Sequence, residues 1–269
     1  MCLLVAAWRV HPRYRLVVAA NRDEFHARPA EPLNYWRTPG RLLAGRDVQA
    51  GGTWLGANPA RGFGVITNYR EMARPRPGAP SRGQLIVNYL TSGVSAWDFA
   101  NNIEIDALSY AGFSLLLADG NDLVYACNRA DQFARRLPPG VYGLSNHLLD
   151  TPWPKLLRVR RSLEVWLQSG DDNLEPLWSA LADRTIPSEN QGIAELTQGL
   201  DPKWLSVLAA PFVSHTEYGT RCSTLSLIAD NGSLEVHERC FDAQAVAVGE
   251  TSVRLPPGRW QMTDGWSEN

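Results

Sequence analysis

The sequence is poor in lysine, in cysteine and in long apolar runs, and each scarcity excludes a class of protein. Lysine accounts for only two of the 26 basic residues, and the formal net charge is −2. This balance lacks the basic excess of a nucleic-acid-binding protein or a polybasic membrane anchor. Four cysteines in 269 residues are too few for a disulfide scaffold, and no CxxC spacing indicates a zinc or redox site. We therefore expect no nucleic-acid partner, no metal site and a reducing compartment.

The longest apolar run near the start of the chain is Cys2–Trp8, and no basic stretch precedes it. It is too short for the core of a signal peptide with its flanks, and far too short to span a bilayer. The sequence also contains no repeat, no low-complexity tract and no break in composition. We expect one domain over residues 1–269, without a membrane span, in the cytoplasm.

Apolar segments that pair as hairpins dominate the first and last thirds of the chain, and helical periodicity occupies the middle. Predicted strands cover residues 3–8, 16–20, 53–57, 63–68, 113–118, 123–128, 224–229, 234–239 and 245–253. Predicted helices begin at a capping box, residues 81–84, and near Ser95, and cover residues 153–168 and 174–182. Because the strands are grouped rather than alternating with helices, we predict an α+β fold with antiparallel sheets. Strands that are apolar on both faces need two covering layers, which favours helix, sheet, sheet, helix stacking.

The first predicted hairpin places polar neighbours beside one cysteine, Cys2. If Trp8 opposes Arg15, paired residue numbers sum to 23, so Cys2 faces Asn21, and Asp23 lies on the diagonal of the same sheet face. A slip of one residue would undo this arrangement. The hairpin therefore predicts a thiol beside a polar cluster that ends an otherwise apolar strand.

Removal of Met1 would give Cys2 both a thiol and a free α-amine. The reference pKa of an α-amine, about 7.7 to 8.0, suits it to accept the thiol proton near neutral pH. Such a nucleophile also needs a carboxylate to hold the ammonium, donors for an oxyanion and a cation near the thiol. Candidates at glycine-marked strand ends are Asn68, Asn146 and Arg221. Each also has an ordinary interpretation, because asparagine often forms turns and arginine often lies on the surface.

Several short motifs together resemble the NRDE-motif family, also called the transport and Golgi organisation family. They are Met1-Cys2, Asn21-Arg22-Asp23-Glu24, Gly51-Gly52-Thr53-Trp54-Leu55-Gly56, Thr67-Asn68-Tyr69-Arg70, Gly143-Leu144-Ser145-Asn146 and Gly219-Thr220-Arg221. The family is similar to N-terminal nucleophile hydrolases, and more narrowly to cysteine amidases such as penicillin V acylase and bile salt hydrolase. The resemblance implies a four-layer αββα sandwich that hydrolyses a small-molecule amide or thioester, with no cofactor required.

The resemblance also implies a role for individual residues of these motifs. Cys2 is then the nucleophile, Asp23 the partner of its α-amine, and Arg22 a neighbour of the thiolate. Asn146 and Asn68 contribute to the oxyanion hole or to substrate binding, and Arg221 is a cation that closes the cluster.

A second function stays open, because the family is associated with intracellular haem trafficking and with lipid or acyl-CoA homeostasis. In this alternative the same cleft carries haem or another hydrophobic molecule without chemistry. Histidine is a common axial ligand of haem, and His147, next to Asn146, is the first candidate, with Trp54 as an apolar wall. No spacing of the five histidines singles out a haem site.

Overall fold

The structure, a computed structural model, describes residues 2–37, 40–71, 78–186, 204 and 207–257. Its strands are β1 (Cys2–Trp8), β2 (Tyr14–Phe25), β3 (Ala30–Trp36), β4 (Leu42–Asp47), β5 (Leu55–Asn58), β6 (Gly62–Asn68), β7 (Phe113–Ala118), β8 (Leu123–Cys127), β9 (Ala134–Arg136), β10 (Gly140–Leu144), β11 (Tyr218–Ala229), β12 (Leu234–Phe241) and β13 (Ala247–Leu255). The helices bounded within these residues are α1 (Gly83–Ser92), α2 (Ala96–Glu104), α3 (Pro154–Ser169) and α4 (Glu175–Leu181), with a 3-10 turn at Ala107–Ser109.

The strands form two antiparallel sheets that divide the chain unequally. The first sheet has the order β10-β1-β2-β11-β12-β13 and takes its strands from both ends of the described chain, except for β10, which comes from the middle. The second has the order β3-β4-β5-β6-β7-β8-β9 and follows the chain without interruption. At the centre of the first sheet, β2 and β11 are each 12 residues long and pair along their whole length, with two irregularities of register.

Apolar clusters fill the three spaces between four layers. Helices α1 and α2 cover the outer face of the second sheet, α3 and α4 cover that of the first, and a third cluster lies between the sheets. In β1, Leu4 and Ala6 face the other sheet, whereas Leu3 and Val5 face the helices. A strand buried on both faces has a continuous apolar sequence, which is the pattern that predicted this stacking. The predicted α+β fold and the αββα order of layers are confirmed.

The register between β1 and β2 differs from the predicted one by one residue. Cys2 pairs with Arg22 and Trp8 with Leu16, so paired residue numbers sum to 24 and not to 23. The reason lies in the loop: Arg9 adopts a left-handed conformation with φ of 50°, and its amide donates to the Arg15 carbonyl at 2.7 Å. The strands therefore close one residue later, and the Cys2 side chain shares its sheet face with Arg22.

The helices begin close to the predicted positions, but the capping of α1 differs from the prediction. The Ser95 side chain caps α2 and accepts from the Asp98 amide at 3.0 Å. The predicted capping box is wrong, since Arg82 occupies the N-cap of α1 and no side chain caps this helix. Within the described residues, no helix has the length and apolar character needed to cross a membrane.

A buried carboxyl group joins the two sheets at their edge. Glu238 lies on the inner face of β12, is 2% exposed, and accepts from the Leu33 amide of β3 at 2.6 Å. Thr224 donates to its other oxygen at 3.3 Å. Burial raises the pKa of the Glu238 carboxyl, and these hydrogen bonds only partly oppose the rise.

Candidate active site

A cavity of about 390 Å³ opens where β1 begins and β2 leaves the space between the sheets. Cys2 lines it from β1 and Arg22 from β2. Trp54, Asn68 and Arg82 line it from the second sheet and the start of α1. Both sheets therefore contribute to the wall around the thiol.

The surroundings of the Cys2 thiol favour its protonated form. Burial raises the pKa of the thiol, while a hydrogen bond from the Asp23 backbone amide and the charge of the Arg22 guanidinium work in the opposite direction. Arg22 is the direct cross-strand partner of Cys2, so the two side chains are neighbours on one face. Because the net shift is upward, the thiol needs a base before it can act as a nucleophile.

The backbone of Cys2 is held by the loop that follows β10. The Cys2 nitrogen donates to Asn146 Oδ1 at 2.8 Å, and Ser145 Oγ donates to the Cys2 carbonyl at 3.0 Å. Asn146 Nδ2 donates to the Asn68 carbonyl at 2.8 Å, and the Asn146 carbonyl accepts from the Arg70 amide at 2.8 Å. Asn146 adopts a left-handed conformation with φ of 56°, which an asparagine tolerates. Its side-chain oxygen thus faces the nitrogen that becomes the α-amine if Met1 is removed, and its amide group is occupied.

Asp23 is buried in a polar cluster behind Cys2, on the sheet face that the helices cover. Thr220 Oγ1 donates to Asp23 Oδ1 at 2.7 Å, and Tyr218 donates to the Asp23 carbonyl at 2.7 Å. Burial raises the pKa of the Asp23 carboxyl, and the positive charge of Lys155 opposes this rise. The predicted position of Asp23 on the same sheet face as Cys2 is wrong, because Cys2 pairs with Arg22 and the Asp23 side chain therefore lies on the opposite face of β2.

Lys155, near the start of α3, is a charged residue of the site that the sequence analysis missed. It is 3% exposed, and its Nζ has no hydrogen-bond partner in the described part of the chain. Burial lowers the pKa of its ammonium, while the nearby carboxylate of Asp23 opposes this. The sequence offered one signal for this residue: it is one of only two lysines and lies among apolar residues at the start of a predicted helix.

Trp54 forms the floor under Arg22. The Arg22 guanidinium carbon lies 4.1 Å from the centre of the Trp54 ring, which is a cation–π contact. The ring lies against Gly45, where a Cβ atom would come within 2.3 Å of Trp54 Cζ2. Glycine at position 45 is therefore what lets the ring lie flat under the guanidinium.

Arg221 does not line the cavity with Cys2. Its Nη1 donates to the carbonyls of Phe25, His26 and Arg28 at 3.1 to 3.2 Å. Phe25 and Arg28 line the cavity, so Arg221 shapes the wall by holding the turn after β2. Its contacts in this structure are those of a positioning residue.

His147 also lies outside the set of residues that line the cavity. Its Nδ1 contacts Thr151 Oγ1 at 2.9 Å, its Nε2 contacts the Tyr69 hydroxyl at 3.0 Å, and its ring stacks on Tyr69. Burial lowers the pKa of His147, and the charge of Arg70 adds to the effect. Since both ring nitrogens are occupied and no histidine is among the described residues lining the cavity, haem ligation stays a prediction of the sequence.

Asn21 connects the first sheet to the layer that contains α4. Its Nδ2 donates to the carbonyls of Leu181 and Pro211 at 2.8 and 2.9 Å, and its Oδ1 accepts from Ser223 at 2.6 Å. Asn21 is 1% exposed, and among the described residues these three groups are the hydrogen-bond partners of its side chain. Asn21, the first residue of the NRDE motif, therefore links the sheet to the helix layer and has the contacts of a structural residue.

Fold and site together define a four-layer αββα sandwich with a cysteine near the start of the chain at the wall of a small-molecule-sized cavity. Residues 1–243 match the family model described as Transport and Golgi organisation 2. The chain belongs to this family, and the predicted resemblance to the NRDE-motif family is confirmed.

Relatives with this description span nearly the whole chain. The chain is 34% identical to the Transport and Golgi organization protein 2 homolog of Homo sapiens, covering 93% of this chain and 97% of the human protein. The Transport and Golgi organization 2 homolog of Mus musculus is also 34% identical, with 89% and 92% covered. The Drosophila melanogaster protein of this name is 25% identical, with 98% and 96% covered. Among solved structures, a Caenorhabditis elegans N-acylethanolamine-hydrolyzing acid amidase ortholog aligns with a TM-score of 0.47 and 12% identity, covering 83% of this chain and 92% of that one.

Proposed function

We propose that this protein hydrolyses an amide or thioester bond of a small molecule, with Cys2 as the nucleophile. The observation that carries the proposal is the hydrogen bond from the Cys2 nitrogen to Asn146 Oδ1 at 2.8 Å, made by a residue whose thiol lines the cavity. A fixed nitrogen on the nucleophilic residue itself is the arrangement that an N-terminal base requires.

The reaction begins when Met1 is removed and the Cys2 nitrogen becomes an α-amine. The amine accepts the thiol proton, and the Cys2 sulfur attacks the substrate carbonyl carbon. The resulting oxyanion is stabilised by donors that line the cavity, for which the side-chain amide of Asn68 is available, together with the Arg22 guanidinium. The leaving amine or thiol takes the proton from the ammonium, and an acyl group remains on sulfur.

Hydrolysis of the acyl-enzyme repeats these roles with water. The free α-amine accepts a proton from water, the hydroxide adds to the thioester carbonyl, and the carboxylic acid leaves while the thiol is restored. Asn146 orients the amine through its Oδ1. The negative charge of Asp23 lies behind the amine and favours the ammonium that forms in each half-reaction. The positive charge of Lys155 limits how far burial raises the pKa of the Asp23 carboxyl.

The N-terminus decides this proposal, because the base exists only after Met1 has been removed. We expect the intact mass of the purified protein to lack Met1, and incubation with activated acyl thioesters or anilides to leave an acyl group on the peptide that begins with Cys2. Cys2→Ala should abolish turnover. Cys240→Ser is the matched control, because Cys240 is also a free thiol in the first sheet but does not line the cavity.

A variant with one glutamate inserted between Met1 and Cys2 separates the thiol from the base. Because glutamate is large, the methionine before it is not removed. Cys2 therefore keeps its thiol, but its nitrogen stays in a peptide bond and is not an α-amine. We expect this variant to lose turnover; full activity in it, or Met1 on active wild-type protein, would refute the proposed base.

The haem carrier is the competing hypothesis. It predicts a saturable Soret shift on titration with haem, weakened by a change of His147 and insensitive to Cys2→Ala. The two occupied ring nitrogens of His147 favour hydrolysis over this alternative at that residue. A cytoplasmic location is part of the hydrolase proposal, since the four cysteines are free thiols.

A further inference from the structure

Two guanidinium groups at the Cys2 cavity have no carboxylate partner in the described part of the chain. Arg22 has the stacking contact with Trp54, and Arg82 donates a single hydrogen bond, from Nη1 to the Gly112 carbonyl at 3.0 Å. The third arginine of the cavity, Arg28, contrasts with them because it binds a carboxylate. Two of the three arginines thus keep unused donors beside the nucleophile.

The carboxylates at the cavity are already engaged elsewhere. Arg28 lies 2.8 Å from Asp47 and 4.0 Å from Glu24. Asp23 accepts from the Thr220 hydroxyl and lies on the face of β2 that the helices cover. Within the described residues neither Arg22 nor Arg82 forms an ion pair, although the charges of Glu71 and Glu24 act on Arg82 from a longer distance.

Burial makes an unpaired guanidinium costly. Arg22 is 6% exposed, and burial lowers the pKa of Arg82 despite the opposing charges of Glu71 and Glu24. A buried charge without a partner is unfavourable, and the planar guanidinium matches the geometry of a carboxylate or phosphate. An anion in the cavity would supply both guanidinium groups with the partner that they lack.

The start of α1 adds a positive end to the same wall. Ser81, Arg82 and Gly83 line the cavity, and α1 is a ten-residue helix with no side-chain cap. The amides at a helix N-terminus and the helix dipole favour an anion. The helix start is fixed in place, because Gly52 packs against Gly83 so closely that a Cβ on Gly52 would come within 2.4 Å of the Gly83 carbonyl carbon.

We propose that Arg82 and the start of α1, with Arg22 opposite, bind an anionic group of the substrate. The substrate class is then small acyl compounds that carry a carboxylate or a phosphate close to the scissile bond. The volume of about 390 Å³ fits a small molecule. This inference rests on the proposed function, because it takes Cys2 as the reacting group, and it makes Arg82 a specificity-determining residue.

Calorimetric titration of the full-length Cys2→Ala variant tests binding without chemistry. One pair of probes is N-butyrylglycine and its neutral amide; the other is N-butyryl-3-aminopropyl phosphate and N-butyryl-3-aminopropanol. We expect the charged member to bind about ten-fold to a hundred-fold more tightly, as for one or two charge-assisted hydrogen bonds. The pair that shows the larger ratio identifies the anionic group as carboxylate or phosphate.

Substitutions of Arg82, made in the Cys2→Ala variant, test whether Arg82 causes the preference for the charged probe. Arg82→Met should abolish the ratio, and Arg82→Lys should retain part of it, because lysine keeps the charge but not the fork of donors. Arg9→Met is the control, since Arg9 also donates to backbone carbonyls but lies away from the cavity. Unfolding midpoints establish that the variants fold, and Arg82→Gln replaces Arg82→Met if the latter does not.

Charged probes that bind no more tightly than the neutral ones overturn the inference, as does a ratio that Arg82→Met or Arg82→Gln leaves unchanged. Absence of turnover in the experiments on the N-terminus would refute the hydrolase alone, because binding to the Cys2→Ala variant does not depend on the thiol.

Discussion

Substitution of Asn21 measures how much the buried polar cluster around it contributes to stability. Asn21→Leu keeps the side-chain volume but removes two donors and one acceptor. The carbonyls of Leu181 and Pro211 lose their donor, and Ser223 loses its acceptor. Each buried group left unsatisfied costs about 1 to 3 kcal/mol, and leucine regains part of this through apolar burial. We expect a loss of about 3 kcal/mol in the free energy of unfolding.

Urea titration followed by tryptophan fluorescence measures this loss, with the slope of the transition as a check on compactness. The matched control is Asn101→Leu, because Asn101 donates one bond to the Trp97 carbonyl from an exposed position of α2. We expect the control to change stability by less than about 0.5 kcal/mol. A loss below about 1 kcal/mol for Asn21→Leu, or one equal to the control, would show that the buried hydrogen bonds do not hold the helix layer to the sheet.

Two further predictions concern the floor of the cavity and the buried acid between the sheets. Gly45→Ala brings a Cβ within 2.3 Å of Trp54 and should lower the free energy of unfolding, measured by urea titration, by about 1 to 3 kcal/mol. Gly249→Ala is the control, because nothing lies within 4 Å of the added Cβ, and it should change stability little. Equal effects of the two substitutions would contradict the packing argument. Because burial raises the pKa of Glu238, its favourable contribution is fully present below the ordinary value of 4.5 and is lost as pH rises through the raised pKa. Wild-type protein should therefore lose stability relative to Glu238→Gln as the pH rises above 4.5, and a difference in unfolding midpoint that does not change with pH would refute this.

Strands with long apolar sequences were mostly predictable, and short or polar strands were not. The hairpin of β7 and β8 forms where the pattern placed it, because each strand is buried along its whole length. Strands β3, β4, β9 and β10 were missed. Polar residues and Pro32 interrupt the pattern of β3, which becomes a strand only through its pairing with β4. The register of β1 was missed because it depends on the backbone conformation of a single loop residue, Arg9.

The site was predictable only in part, because its residues meet across long separations in sequence. Family resemblance singled out Cys2, Asp23 and Asn146, whose contacts lie close together in the structure. The burial of Lys155 is a property of tertiary packing, which helical periodicity does not report. Arg221 has the residue type of a site cation, but its donors are used by the backbone of the turn after β2.

The insertion of β11 between β2 and β12 has a consequence for synthesis on the ribosome. About 190 residues separate the end of β2 from Tyr218, so at about 5 to 20 residues per second the free edge of β2 waits roughly 10 to 40 s for its partner. The second sheet, which is contiguous in the chain, can assemble during that interval. An unpaired edge invites association with other chains, so this interval is the period of greatest exposure to aggregation. The Cys2 thiol is therefore translated long before Thr220, whose hydroxyl donates to Asp23.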